Sequence, residues 1–139
     1  MARRPRTAGN LYGTITFGSA AGKGVVFKLS PGGTETVLYS FCSLPSCSDG
    51  HAPKAGLIGD GAYLYGTTVG GGASDAGTVF KLSPSGTETV LHSFTGSDGG
   101  DPYAGLIADR AGNLYGTTAN GGAAGNGVVF KLSGTGFVP

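Results

Sequence analysis

Chemistry in this chain could begin from only a few side chains. Cys42 and Cys47 frame CSLPSC, and no other cysteine is present for either to pair with. A C-x4-C loop with a central proline can close as a small disulfide-stapled turn, which suits an oxidising compartment. As half of a zinc site it needs two more ligands; His51 is near in sequence, but no fourth ligand is apparent. In a reducing compartment the two remain free thiols. Asp98 and Asp101, in GSDGGDP, are calcium candidates, because carboxylates on a glycine-rich turn can converge on a hard cation. The earlier copy of this loop has Asp49 in the first place but Ala52 in the second. An Asp-Gly turn capping backbone N–H groups is therefore the structural reading, and it extends to Asp60 and Asp109.

Catalytic groupings are thinner. His92 and Ser93 are adjacent on a strand-like run, so their side chains should point to opposite faces and cannot share a proton. Tyr39 and Ser40 hold the same places one repeat earlier, which points to a structural position that accepts an aromatic ring. His51 shares a loop with Asp49, a pairing typical of a turn. The clusters VGGG and NGG fall between strands rather than before helices, so they do not cradle phosphates. No catalytic residue and no cofactor is assigned. Tyr12, Tyr65 and Tyr115, like Phe27, Phe80 and Phe130, recur at matched places and read as core, with a sugar-stacking face of tyrosines as the alternative. Tyr63 and Tyr103 have no such counterparts; each lies in a turn or loop, and they are the candidates for exposed ligand contacts.

These residues must be positioned by a repeat. YGT recurs at Tyr12, Tyr65 and Tyr115 and the VFKL block at Val26, Val79 and Val129, stepping by 53 and then 50 residues. Length differences fall in glycine- and proline-rich segments, as they do between stacked supersecondary units. The 29 glycines sit at fixed offsets between runs of Val, Ile, Leu, Phe and Tyr, a pattern of tight turns between short strands. One full unit reads as four strands: AGLIAD (104–109), NLYGTT (113–118), GTVFKLS (77–83) and TETVLHSF (87–94). SPSGTE (83–88) is a short hairpin turn. No window has the spacing a helix needs to bury one face, so no helix longer than one turn is expected. VVFKL lacks alternation, which suggests strands covered on both sides.

The fold class is therefore all-β: tandem four-stranded blades, β-propeller-like and incomplete, with about three blades in this chain. The divisions are a stub at 1–7, a first repeat at 8–54 lacking its first strand, a second at 55–103, and a third at 104–139 lacking its last. ARRPR (2–6) stands where the third repeat has GLIAD, and SGTGFVP (133–139) replaces a fourth strand, leaving three, four and three strands. Two accounts of the open ends follow. Either the chain is a segment of a longer repeat protein, or unpaired strand edges join other copies head to tail as a ring or filament.

Charge excludes some partners. Beyond Arg3, Arg4 and Arg6, six cations face eight anions, so no basic face awaits a nucleic acid. No apolar run reaches membrane-spanning length, and no apolar core follows MARRPRT to make it a signal peptide.

NLYGTTxxGG, the G-x-V-F-K-L-S-P block, the TETVLxSF strand and the DGxxPxAGLI loop resemble the GloVer tandem repeat of bacterial proteins across residues 8–133. The resemblance implies an extracellular or cell-surface β-repeat protein of propeller-like build; the sorting tail that often ends such proteins is not in this sequence. The function expected is a non-enzymatic structural, assembly or binding module. The alternative is a propeller-type enzyme or lectin-like module acting on extracellular polysaccharide, and a cluster of acids and bases unique to one blade would favour it.

Overall fold

The computed structural model describes residues 9–19 and 21–139. The expected N-terminal stub and the strandless stretch at 2–6 lie outside them. The described residues form ten antiparallel strands in three sheets. The first sheet holds β1 (Leu11–Ile15), β2 (Val25–Leu29) and β3 (Glu35–Ser40), in that order. The middle sheet runs β4 (Ile58–Gly59), β5 (Leu64–Thr68), β6 (Thr78–Leu82) and β7 (Glu88–Ser93). The third contains β8 (Ile107–Ala108), β9 (Leu114–Thr118) and β10 (Val128–Leu132). The single helical element described is a 3-10 turn at Pro45–Cys47. None of the described helices is long and apolar enough to cross a membrane.

Two sequence expectations change in detail. AGLIAD is not a six-residue strand: only Ile107 and Ala108 pair there, as Ile58 and Gly59 do one repeat earlier, and Leu106 and Leu57 just before them are buried in the cores. Coverage on both faces belongs only to the middle sheet, where every residue of β5 is buried, whereas β10 alternates between intermediate and exposed. The sheets themselves do not close into a ring.

The recurring YGT has a cross-strand cause. Gly13 lies opposite Phe27, Gly66 opposite Phe80 and Gly116 opposite Phe130. A Cβ on Gly66 would stand 2.8 Å from the tip of the Phe80 ring and 2.8 Å from Leu57 Cδ2. Phenylalanine thus covers the bare backbone of the neighbouring strand, and only glycine leaves room for the ring.

Sheets pack face to face through two cores built from equivalent residues. Between the first and middle sheets lie Val26, Phe41, Leu57, Leu64, Phe80 and Leu82. Between the middle and third lie Tyr65, Val79, Phe94, Leu106 and Leu114, with Phe130 and Leu132 packed against them. Phe41 meets Phe80 edge-on at 5.1 Å between centroids, and Phe94 meets Phe130 at the same distance. Such contacts add to the area buried.

The loops between sheets fasten these cores. Ala52 N–H donates to Lys23 O at 2.8 Å while its own carbonyl accepts from Val69 N–H at 3.0 Å. Asp101 repeats both bonds one unit later, to Ala76 and from Ala119. Both residues turn the same left-handed corner, with φ of 58° and 54°. Gly77, at φ 102°, lets the chain pass so close that a Cβ would lie 2.5 Å from Thr68 O.

Residues 133–139 form no strand, and they fold back rather than trail. Thr135 Oγ1 donates to Gly112 O at 3.0 Å, and the Phe137 ring sits 5.1 Å from that of Tyr65. Val138 N–H reaches Asp60 Oδ2 at 3.2 Å, so the tail covers one end of the second core.

Candidate functional site

The polar side chains gather at the ends of the sheets, where loops must satisfy their backbone donors. Asp49 is wholly buried at the seam between the first and middle sheets. Its carboxylate accepts from Tyr39 Oη at 2.6 Å, Ser43 N–H at 2.9 Å and Leu44 N–H at 3.3 Å. Burial, then the bond to Asp49, pushes the Tyr39 phenol well above its ordinary range. Cys42 and Cys47 are joined as a disulfide within this same loop, and both have positive φ.

Glu88 faces this seam from β7. It pairs across the strand with Leu82, which lies in the first core. Among the described residues, its Oε2 is buried without a hydrogen-bond partner. Burial, reinforced by the nearby Asp49 charge, raises its pKa from 4.5 to about 8. Its proton is therefore kept by the folded chain and lost by the unfolded chain between those values, so stability falls as pH rises from 4.5 to about 8. Allowing for partial solvation, the loss is about 1–2 kcal/mol. Glu88→Gln should flatten the profile of urea midpoint against pH and exceed the wild type in stability at pH 8 or above; an unchanged slope would place the ionisation elsewhere.

The second repeat rebuilds the loop at the surface. Asp98 accepts from His92 Nε2 at 2.8 Å, Thr95 N–H at 2.8 Å and Thr95 Oγ1 at 2.9 Å. Burial works against its charge, but these donors prevail and lower its pKa. Asp101 instead accepts from Asn120 Nδ2 at 2.6 Å. The carboxylates of Asp98 and Asp101 are thus each turned to a partner within the loops. No group of three or more His, Cys, Asp and Glu side chains close enough to hold a metal ion occurs among the described residues.

Asp60 and Asp109 shape the turns at the opposite end. Asp60 Oδ1 accepts from the N–H groups of Ala62 and Tyr63, and Asp109 Oδ1 from those of Ala111 and Asn113. Their second oxygens accept from Tyr65 and Tyr115, at 3.3 and 2.7 Å. The recurring tyrosine thus joins core packing to a turn, a hydroxyl role that the sequence reading missed. An aspartate five places before Tyr65 and six before Tyr115 was the available signal. For Asp109 the Asn113 amide, then the Tyr115 hydroxyl, holds the carboxyl well below its usual range.

The histidines do not meet a nucleophile. His92 is engaged with Asp98, while Ser93 Oγ accepts from Ala73 N–H at 3.4 Å. His51 does not pair with Asp49, its neighbour in sequence; it lies 3.3 Å from Asp75, which also holds Gly71 N–H. Tyr63 and Tyr103 are exposed, at 37% and 49%, and each ring carries a lysine: Lys81 at 4.3 Å and Lys54 at 5.4 Å. Both lysines lie within cation–π distance of their rings.

A groove of about 710 Å³ opens beside the edge strands β4 and β8, lined by Ile58, Leu106, Ile107, Arg110, Phe137 and Pro139 among others. It is mostly apolar, and the tail forms one wall. A family model described as the Gloeobacter/Verrucomicrobia repeat matches residues 3–138. No curated protein and no solved structure matches the chain.

Proposed function

The chain belongs to the Gloeobacter/Verrucomicrobia repeat family, and from that premise we propose that it is a non-enzymatic β-repeat module of the cell exterior, serving assembly or binding. In this reading the sheets follow one another as propeller-like blades. The observation that carries it is the interface made twice: Phe41 on Phe80 and Phe94 on Phe130, fastened by Ala52 and Asp101 through the same pair of backbone bonds. A surface built by repetition offers similar contacts many times, which suits a scaffold. The polar groups support this, since Asp49, Asp60, Asp98 and Asp109 each hold the backbone of their own loop.

The test is incubation with neutral and acidic polysaccharides, reading new reducing ends for cleavage and co-sedimentation for binding. No release of reducing ends is expected, and release would overturn the non-enzymatic reading. Binding abolished by Tyr63→Ala or Tyr103→Ala would make the module lectin-like. The disulfide has its own check: protein recovered from outside the cell should resist alkylation at Cys42 and Cys47 until reduced.

A further inference from the structure

Each internal interface joins two different faces. Tyr12, Thr14 and Val26 of the first sheet turn toward the middle sheet, and Tyr65, Thr67 and Val79 of the middle sheet turn toward the third. The receiving faces are Leu64, Phe80 and Leu82 in one case, and Leu114, Phe130 and Leu132 in the other. Among the described residues, one of each has no sheet packed against it. Tyr115, Thr117 and Val129 form the outer face of the third sheet, where Val129 is 80% exposed although Val26 and Val79 are 0% exposed. Leu11, Phe27 and Leu29 form the outer face of the first sheet, where Leu11 is 42% exposed against 6% for Leu64 and 0% for Leu114.

We propose that the outer face of the third sheet docks on the outer face of the first sheet of a second copy, head to tail, continuing the internal stacking between chains. This rests on the reading of the chain as a face-stacking repeat. The occupant is a second copy because both faces have their complement within this chain, in the same residue types at the same strand positions. The contact is heterologous, so it leaves a free face at each end and can propagate into a ring or a filament. Association between chains is bimolecular, so it should be reversible and should grow with concentration. The surfaces are faces of sheets, and strand edges are not required.

Sedimentation of the full chain with two variants tests this. Val129→Glu charges the third-sheet face, and Leu11→Glu charges the first-sheet face. The wild type should gain mass with concentration, each variant alone should stay monomeric, and an equal mixture should form dimers and nothing larger, since each variant retains the face the other has lost. Dimer in the mixture also shows that both variants fold. A wild type monomeric up to about 1 mM would overturn the docking. So would variants that associate like the wild type, which would move the contact to strand edges, or a mixture that stays monomeric. Failure here removes only the docking; the module reading falls separately, through the release of reducing ends.

Discussion

Replacing Phe80 by alanine is expected to cost about 3–5 kcal/mol, the range for emptying a buried aromatic site. Its ring is fully buried, rests on Phe41, and covers Gly66 across the strand. The loss therefore opens the first core and uncovers backbone in the middle sheet together. Against the 5–15 kcal/mol typical of a domain, this lowers the urea midpoint by a large fraction or abolishes folding at room temperature. Phe27 is the internal control. It holds the same place over Gly13, but on the outer face of the first sheet, where it is only partly buried. Phe27→Ala should cost well under half as much. Equal losses in denaturant melts would mean that the seam between sheets contributes little and that covering glycine is the whole role of the ring.

The second large effect belongs to Asp49. Asp49→Ala takes the acceptor from the part-buried Tyr39 hydroxyl and from the N–H groups of Ser43 and Leu44, and it empties a wholly buried site. Ser43 and Leu44 are themselves exposed, so water can reach their N–H groups, and the loss is about 2 kcal/mol, mostly from the Tyr39 hydroxyl and the vacated site. Asp98→Ala, at the matching place in the second repeat, should cost about 1 kcal/mol or less, because its side chain is 41% exposed and water can replace it. Thermal melts of the two variants decide the point. Similar losses would show that burial is not what separates the two loops. Asp49→Ala should also let Glu88 ionise at lower pH, since the Asp49 charge is one of the two causes of its shift.

Most of the strands were legible because YGT and VFKL place small, aromatic and β-branched residues at offsets that survive changes in loop length. What was not legible depended on neighbours in space. Glu35 and Glu88 occupy identical TETVL blocks, yet Glu35 is exposed and Glu88 is largely buried within reach of the Asp49 charge. No local pattern distinguishes them; the difference is that one has a preceding sheet and the other faces outward. Leu57 and Leu106 were read as strand residues because AGLI is apolar and bounded by turn signals, but the space above Gly66 and Gly116 draws them into the core. SGTGFVP carries no periodicity, so its return to Tyr65 and Asp60 could not be inferred. His51 was associated with the nearest acid in sequence, and the fold supplies Asp75 from the loop between β5 and β6 instead.

The double-sided burial of the middle sheet has a consequence for how the parts communicate. The two cores share no residue, and both are anchored in β5 and β6. A disturbance in the first sheet can reach the third only by way of these strands, so the chain behaves as a short series of nearest-neighbour couplings. Fraying of either end sheet breaks one coupling and leaves the other intact. Opening the middle sheet breaks both at once, which makes β5 and β6 the last part of the molecule to surrender its order and the first from which that order can spread.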